Sequence, residues 1–221
     1  MNRNLIVLDP AHGGPEAGAT LGNNLAEKDF TLALSARLRT ALTSAGFTVV
    51  ATRDADPSDP LTTDQRAETA NRVHALACIV LHATATGSGV HIYTSTLPPS
   101  PAEVADPDSP PAFVPIPWET AQAGFVSQSQ RMATDLSAAL GKASLPTLAG
   151  QASLRPLDNL MCPAVAIEIA PLLATNEDAT PVTDPDYQQR LIAALTAALQ
   201  AWRDHAEPAV SATQPVPKAA Q

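Results

Sequence analysis

The stretch Leu5-Ile6-Val7-Leu8-Asp9-Pro10-Ala11-His12-Gly13-Gly14 decides how this chain is read. Four apolar residues, two of them β-branched, make a short buried strand. Asp9-Pro10 ends it, because proline has no N–H to give to a ladder and fixes its own φ. His12 follows at once, and Gly13-Gly14 lets the backbone turn away. An imidazole therefore sits just past the C-terminal end of a core strand, where open α/β sheets gather ligands and chemistry.

The theme recurs twice. Cys78-Ile79-Val80-Leu81-His82 is another short apolar strand ending in histidine, with Ala83, Thr84 and Ala85 after it. Four residues of strand span about 13 Å, so Cys78 and His82 do not share a metal, and His82 alone is the candidate. Pro163 to Pro171 is apolar except for Glu168. A carboxylate there is costly unless it is paired, bound to metal or neutralised. An ion pair with Arg155 is the ordinary structural alternative. Glu27 opens a helix on which Leu34, Leu38 and Leu42 recur at helical spacing, and it lies on their stripe. An acid in a first turn also complements the helix dipole, which is the ordinary account of it. If the strands are parallel and joined by helical crossovers, all these ends share one edge. Two imidazoles and a carboxylate make a catalytic zinc set with an open position, and a further carboxylate serves as general base.

The rest of the chain frames that edge. Its 221 residues suffice for one α/β domain with a core, and 45% hydrophobic with 16% charged residues points to folding. A net charge of −9 argues against nucleic acid or anionic membrane as the main partner. No run is long enough to cross a bilayer, and no signal peptide is visible, so either the protein stays inside the cell or an export signal lies outside this sequence. Asn23 or Asn24 is expected to cap the first helix and Gly46 to end it, with a strand over Phe47–Ala51. Further helices are expected over 63–76, 118–140 (ended by Gly141) and 187–202, with extended chain over 89–94 and 148–157. Arg53, Arg66 and His91 read as structural. Cys78 and Cys162 read as small core residues, a disulfide being the lesser option. The expectation is a single α/β domain over 1–204. It holds a mostly parallel or mixed twisted sheet of about six strands, flanked by helices on both faces. A proline-rich insertion spans about 97–118, read as a lid or an uninvolved surface loop, and 205–221 reads as a disordered tail.

Taken together in order, these motifs resemble the zinc-dependent N-acetylmuramoyl-L-alanine amidases that trim peptidoglycan (amidase type 3). The matching signatures are LeuAspProAlaHisGlyGly at 8–14, Glu27 before the helix leucines, ThrArgAsp at 52–54, ArgAlaGluThrAlaAsn at 66–71, ValLeuHisAlaThrAla at 80–85 and ProAlaValAlaIleGluIle at 163–169. The resemblance implies one Zn2+ held by His12, Glu27 and His82, with Glu168 as catalytic base and a mixed sheet flanked by helices. It also implies peptidoglycan as substrate, a periplasmic or cell-wall location, and no membrane insertion. Arg155 is a candidate substrate contact, a monomer is expected, and a protein activator is left open. The chain departs from the family pattern at Ala11, Glu16, Thr84 and Ala170-Pro171-Leu172, none of which is a ligand or the base. Two alternatives stay open at this point: a wall-binding module of the same fold with little catalysis, and a zinc peptidase acting within the stem peptide.

Overall fold

The computed structural model describes residues 2–100, 117–173 and 179–205. Six strands, β1 (Asn2–Pro10), β2 (Thr48–Ala51), β3 (Ala75–Ala83), β4 (Val90–Thr94), β5 (Thr147–Gln151) and β6 (Ala164–Ile169), form one mixed sheet in the order β2-β1-β3-β6-β4-β5. β2, β1, β3 and β6 are mutually parallel; β4 runs antiparallel to β6 and parallel to β5. The helices are α1 (Glu27–Ser44), α2 (Thr63–Asn71), α3 (Val126–Lys142) and α4 (Pro185–His205). The expected α/β sheet of about six strands, with helices on both faces, is what forms.

Period-two alternation along the strands sorts two cores. Ile6, Leu8, Ile79, Leu81, Val165 and Ile167 pack with the buried stripes of α1, α3 and α4. Leu5, Val7, Cys78, Val80, Ala164 and Ala166 face the other way, onto Ala67 and Ala70 of α2 and onto Leu157 and Leu160. Continuing the alternation puts His82 and Glu168 on this second face. The fully buried Tyr187 ties α4 to the sheet by donating its hydroxyl to the carbonyls of Ala170 and Gly89.

Local readings change where tertiary partners intervene. Neither Asn23 nor Asn24 caps α1; both sit in a turn with φ near 60°, and the cap position is Ala26. The first-turn N–H groups of Glu27 and Lys28 instead donate to the carbonyls of Ala19 and Ala17, so no capping side chain is needed. The second helix stops at Asn71 rather than near Leu76, because Ala75 and Leu76 are drawn into the buried start of β3. Residues Trp118–Gly124 form a 3-10 turn, not the start of a long helix, and the buried Gln122 pins that turn by donating to the carbonyls of Leu160 and Cys162. α3 then runs through Gly141 to Lys142. Extended chain after Leu148 ends at Gln151, beyond which Asp158 gathers the hydroxyls of Ser95 and Ser153. Most of the proline-rich insertion and nearly all of the C-terminal tail lie outside the described residues. No helix among the described residues is long and apolar enough to cross a membrane.

The two cysteines are a correction. They are buried core residues, but they are bonded to each other, with Cα atoms 6.1 Å apart. Cys78 pairs in register with Ala164, which brings Cys162 alongside β3. The bridge spans 84 residues of sequence, so it removes much freedom from the unfolded chain. Replacing both cysteines by alanine is expected to lower unfolding free energy by about 2–4 kcal/mol in urea titrations.

Candidate metal centre

His12 stands on a turn that its own sequence does not stabilise. The residue has φ 61°, a left-handed conformation that is uncommon outside glycine. As the chain leaves the sheet its carbonyls lose ladder partners, and two buried arginines replace them. Arg66 donates to the carbonyls of Pro10 (2.8 Å), His12 (2.6 Å) and Leu61 (3.2 Å) and to the Asp9 carboxylate (2.8 Å). Arg53 donates to the carbonyls of Pro10 (2.9 Å), Ala11 (3.0 Å) and Lys28 (2.7 Å). Burial and the neighbouring Arg66 charge lower the pKa of Arg53. The structural role expected of both arginines is thus specific: they hold the turn that aims His12.

Glu27 arrives from the first turn of α1 and is 4% exposed. Its Oε2 lies 3.2 Å from His12 Nε2 and its Oε1 lies 2.9 Å from His82 Nδ1. The backbone N–H groups of Ala19 and Ala83 donate to the same two oxygens at 2.9 and 3.0 Å. Gly18 closes over the cluster, where a Cβ would come within 2.6 Å of both Glu27 Oε2 and His12 Cδ2. Ligand-capable atoms of His12, Glu27 and His82 all lie within 4.8 Å of one another. Two imidazoles and one carboxylate brought this close together are a donor set that suits zinc. The rings of His12 and His82 remain partly open to a cavity of about 330 Å³, lined also by Glu16, Thr62, Arg66 and Arg155.

Glu168 sits one strand further on. It is in register with His82 across the parallel β3–β6 pair, so the two side chains share a face of the sheet. It is not paired with Arg155. That guanidinium lies 3.9 Å from the exposed Asp64 instead. His91, read from sequence as structural, faces Glu168 from the other side, with Nδ1 3.5 Å from Oε2. The alternating Val-His-Ile-Tyr of β4 carried that signal, since it places His91 opposite the buried Val90 and Ile92; the partner strand was what sequence lacked.

Fold and site define an α/β domain with a candidate metal centre at the C-terminal ends of its parallel strands. The chain belongs to the N-acetylmuramoyl-L-alanine amidase family, whose model matches residues 6–201. The germination-specific N-acetylmuramoyl-L-alanine amidase of Bacillus subtilis (strain 168) is 48% identical over 52 residues, which is 24% of this chain and 22% of that relative. Among solved structures, the catalytic domain of CwlV, an N-acetylmuramoyl-L-alanine amidase from Bacillus (Paenibacillus) polymyxa var. colistinus, superposes with TM-score 0.66 at 22% identity, over 91% of this chain and 98% of that one. Ami1 from Mycobacterium abscessus gives TM-score 0.68 at 19% identity, over 90% and 98%. The CwlD amidase from Clostridioides difficile, solved in complex with the GerS lipoprotein, gives 0.62 at 18% identity, over 91% and 98%. At these identities the likeness establishes the fold.

The cluster couples protons to stability in the metal-free protein. Burial alone would raise the pKa of Glu27, but hydrogen bonds with His12 and His82 and from Ala19 and Ala83 prevail and hold it far below the usual carboxylate range. The bond to Glu27 raises the pKa of His12 against the effect of burial. A lowered acid contributes stability above its ordinary pKa of 4.5 and loses it as pH falls. A raised histidine contributes below 6.5 and loses it as pH rises. The stability difference between wild type and Glu27→Gln, both stripped with chelator, is therefore expected to peak between the ordinary values 4.5 and 6.5 and shrink on either side in urea titrations.

Proposed function

We propose that this chain is a zinc-dependent hydrolase that cleaves the amide between N-acetylmuramic acid and the L-alanine of the peptidoglycan stem peptide. The observation that carries the reading is the convergence of His12, Glu27 and His82, with Glu168 beside His82 on the same sheet face. Family membership directs that donor set to this amide.

His12, Glu27 and His82 would hold the ion. When bound, zinc supplies Lewis acidity to the scissile carbonyl and lowers the pKa of a water towards about 7. Glu168 accepts the proton of the attacking water and returns it to the leaving alanine nitrogen. Gly18 and the Arg53–Arg66 cage keep the ligand side chains from shifting during this exchange. Arg155 lines the same cavity and has only an exposed aspartate near it among the described residues, whereas Arg66 is committed to backbone carbonyls. Its guanidinium is suited to a carboxylate of the stem peptide.

The disulfide supports an extracytoplasmic place of action, since such bonds persist in oxidising compartments. The lipoprotein complex of CwlD suggests that a protein activator of this chain is worth seeking.

Purified sacculi and soluble muropeptides digested with the zinc-loaded protein are expected to release intact peptides with a free L-alanine amino terminus, read by mass spectrometry. Shortened peptides would instead mark a peptidase, and binding without release a wall-binding module. Glu168→Gln is expected to keep one zinc per chain and lose about 10²–10⁴ in kcat. Arg155→Ala is expected to raise KM for a carboxylate-bearing muropeptide about tenfold, with kcat little changed.

A further inference from the structure

Glu168 lies between two histidines. β6 pairs with β3 on one side and β4 on the other, and the registers put His82 and His91 opposite the same glutamate. Opposite residues in a ladder share a face, so both imidazoles lie on the side of the sheet where Glu168 projects. His82 is committed to Glu27. His91 belongs to no ligand cluster, and its Nδ1 faces Glu168 Oε2 at 3.5 Å.

The surroundings of His91 leave its ring little choice of position. Nε2 lies 3.2 Å from the Ser88 carbonyl oxygen, so the ring has an acceptor at each nitrogen. A neutral imidazole has one N–H and meets one acceptor; the protonated ring meets both. Tyr93 stands edge-on with ring centroids 6.3 Å apart. Gly87 closes over the ring where a Cβ would lie 3.3 Å from Cε1. The imidazole side chain is 17% exposed, whereas that of Glu168 is 33% exposed. The imidazole is thus the more enclosed of the two groups. Among the described residues, Glu168 Oε1 has no partner in a hydrogen bond or ion pair.

We propose that His91 is a positioning residue for Glu168. It holds Oε2 and leaves Oε1 as the oxygen that exchanges the proton. A partly exposed glutamate has a broad terminal torsion, and a base acts only from within hydrogen-bond reach, so orienting the carboxylate raises the fraction that is poised. The inference rests on the reading of Glu168 as base.

Two amide substitutions separate the ring's contacts. In His91→Asn the side-chain N–H takes the place of Nδ1 and reaches Glu168; in His91→Gln it takes the place of Nε2 and reaches Ser88. On soluble muropeptide, His91→Gln is expected to lose about tenfold in kcat with KM unchanged, while His91→Asn keeps most of it. Both should bind one zinc per chain and melt within a few degrees of wild type. In a Glu168→Gln background His91→Gln should cost nothing further. If the two amides have equal kcat, or the loss persists in the Glu168→Gln background, His91 does not act through Glu168 and the inference is overturned while the base assignment stands. If Glu168→Gln alone retains turnover, the base assignment fails and this inference falls with it.

Discussion

The structure depends on one buried carboxylate. Glu27 lies almost wholly out of water, and a carboxylate in that position is tolerated only when it is fully partnered. Its partners come from three parts of the chain: the turn at His12, the loop at Ala19, and the end of β3, where the His82 ring and the Ala83 backbone both reach it. Each partner is itself placed by a larger element. α1 must present its first turn to the sheet edge, β1 and β3 must be adjacent and parallel, and the loop before α1 must return to the same spot. The requirement of one side chain thus binds the first third of the domain to the centre of the sheet.

The scaffold answers that requirement with rigid devices. Two guanidiniums satisfy the carbonyls of a turn that has left its ladder, and so stabilise a histidine in a left-handed conformation. Removing Arg66 would take away the donor to the His12 and Leu61 carbonyls, which is more costly than the loss of an average hydrogen bond, whereas Arg53 shares its acceptors with Arg66 and Thr31. The disulfide joins β3 to the segment entering β6, four residues before His82 and six before Glu168. The strands that carry His82 and Glu168 are therefore locked together close to the candidate metal centre.

β6 is also where the sheet changes direction, with a parallel neighbour on one side and an antiparallel one on the other. Glu168, the proposed base, stands at that change. Its parallel neighbour contributes His82 of the candidate metal cluster, and its antiparallel neighbour contributes His91, outside that cluster. A single glutamate thereby has an imidazole on the neighbouring strand to each side, one from the candidate metal cluster and one outside it. The partly open rings of His12 and His82 and the Arg155 side chain line one cavity beside the candidate metal centre.

Sequence by itself determined what is local. The apolar runs ending in His12, His82 and Glu168 are strands because β-branched residues alternate into two cores, and Glu27 is turned inward because it shares the helical stripe of Leu34, Leu38 and Leu42. Those four residues were legible because periodicity dictates which face a side chain takes. Tertiary structure alone decided the rest. The Cys78–Cys162 bond, the pairing of His91 with Glu168, the turning of Arg155 to Asp64 and the uncapped start of α1 all depend on which strand or loop lies alongside. Strand order is set by contacts far apart in the chain, and no local pattern of residues encodes it.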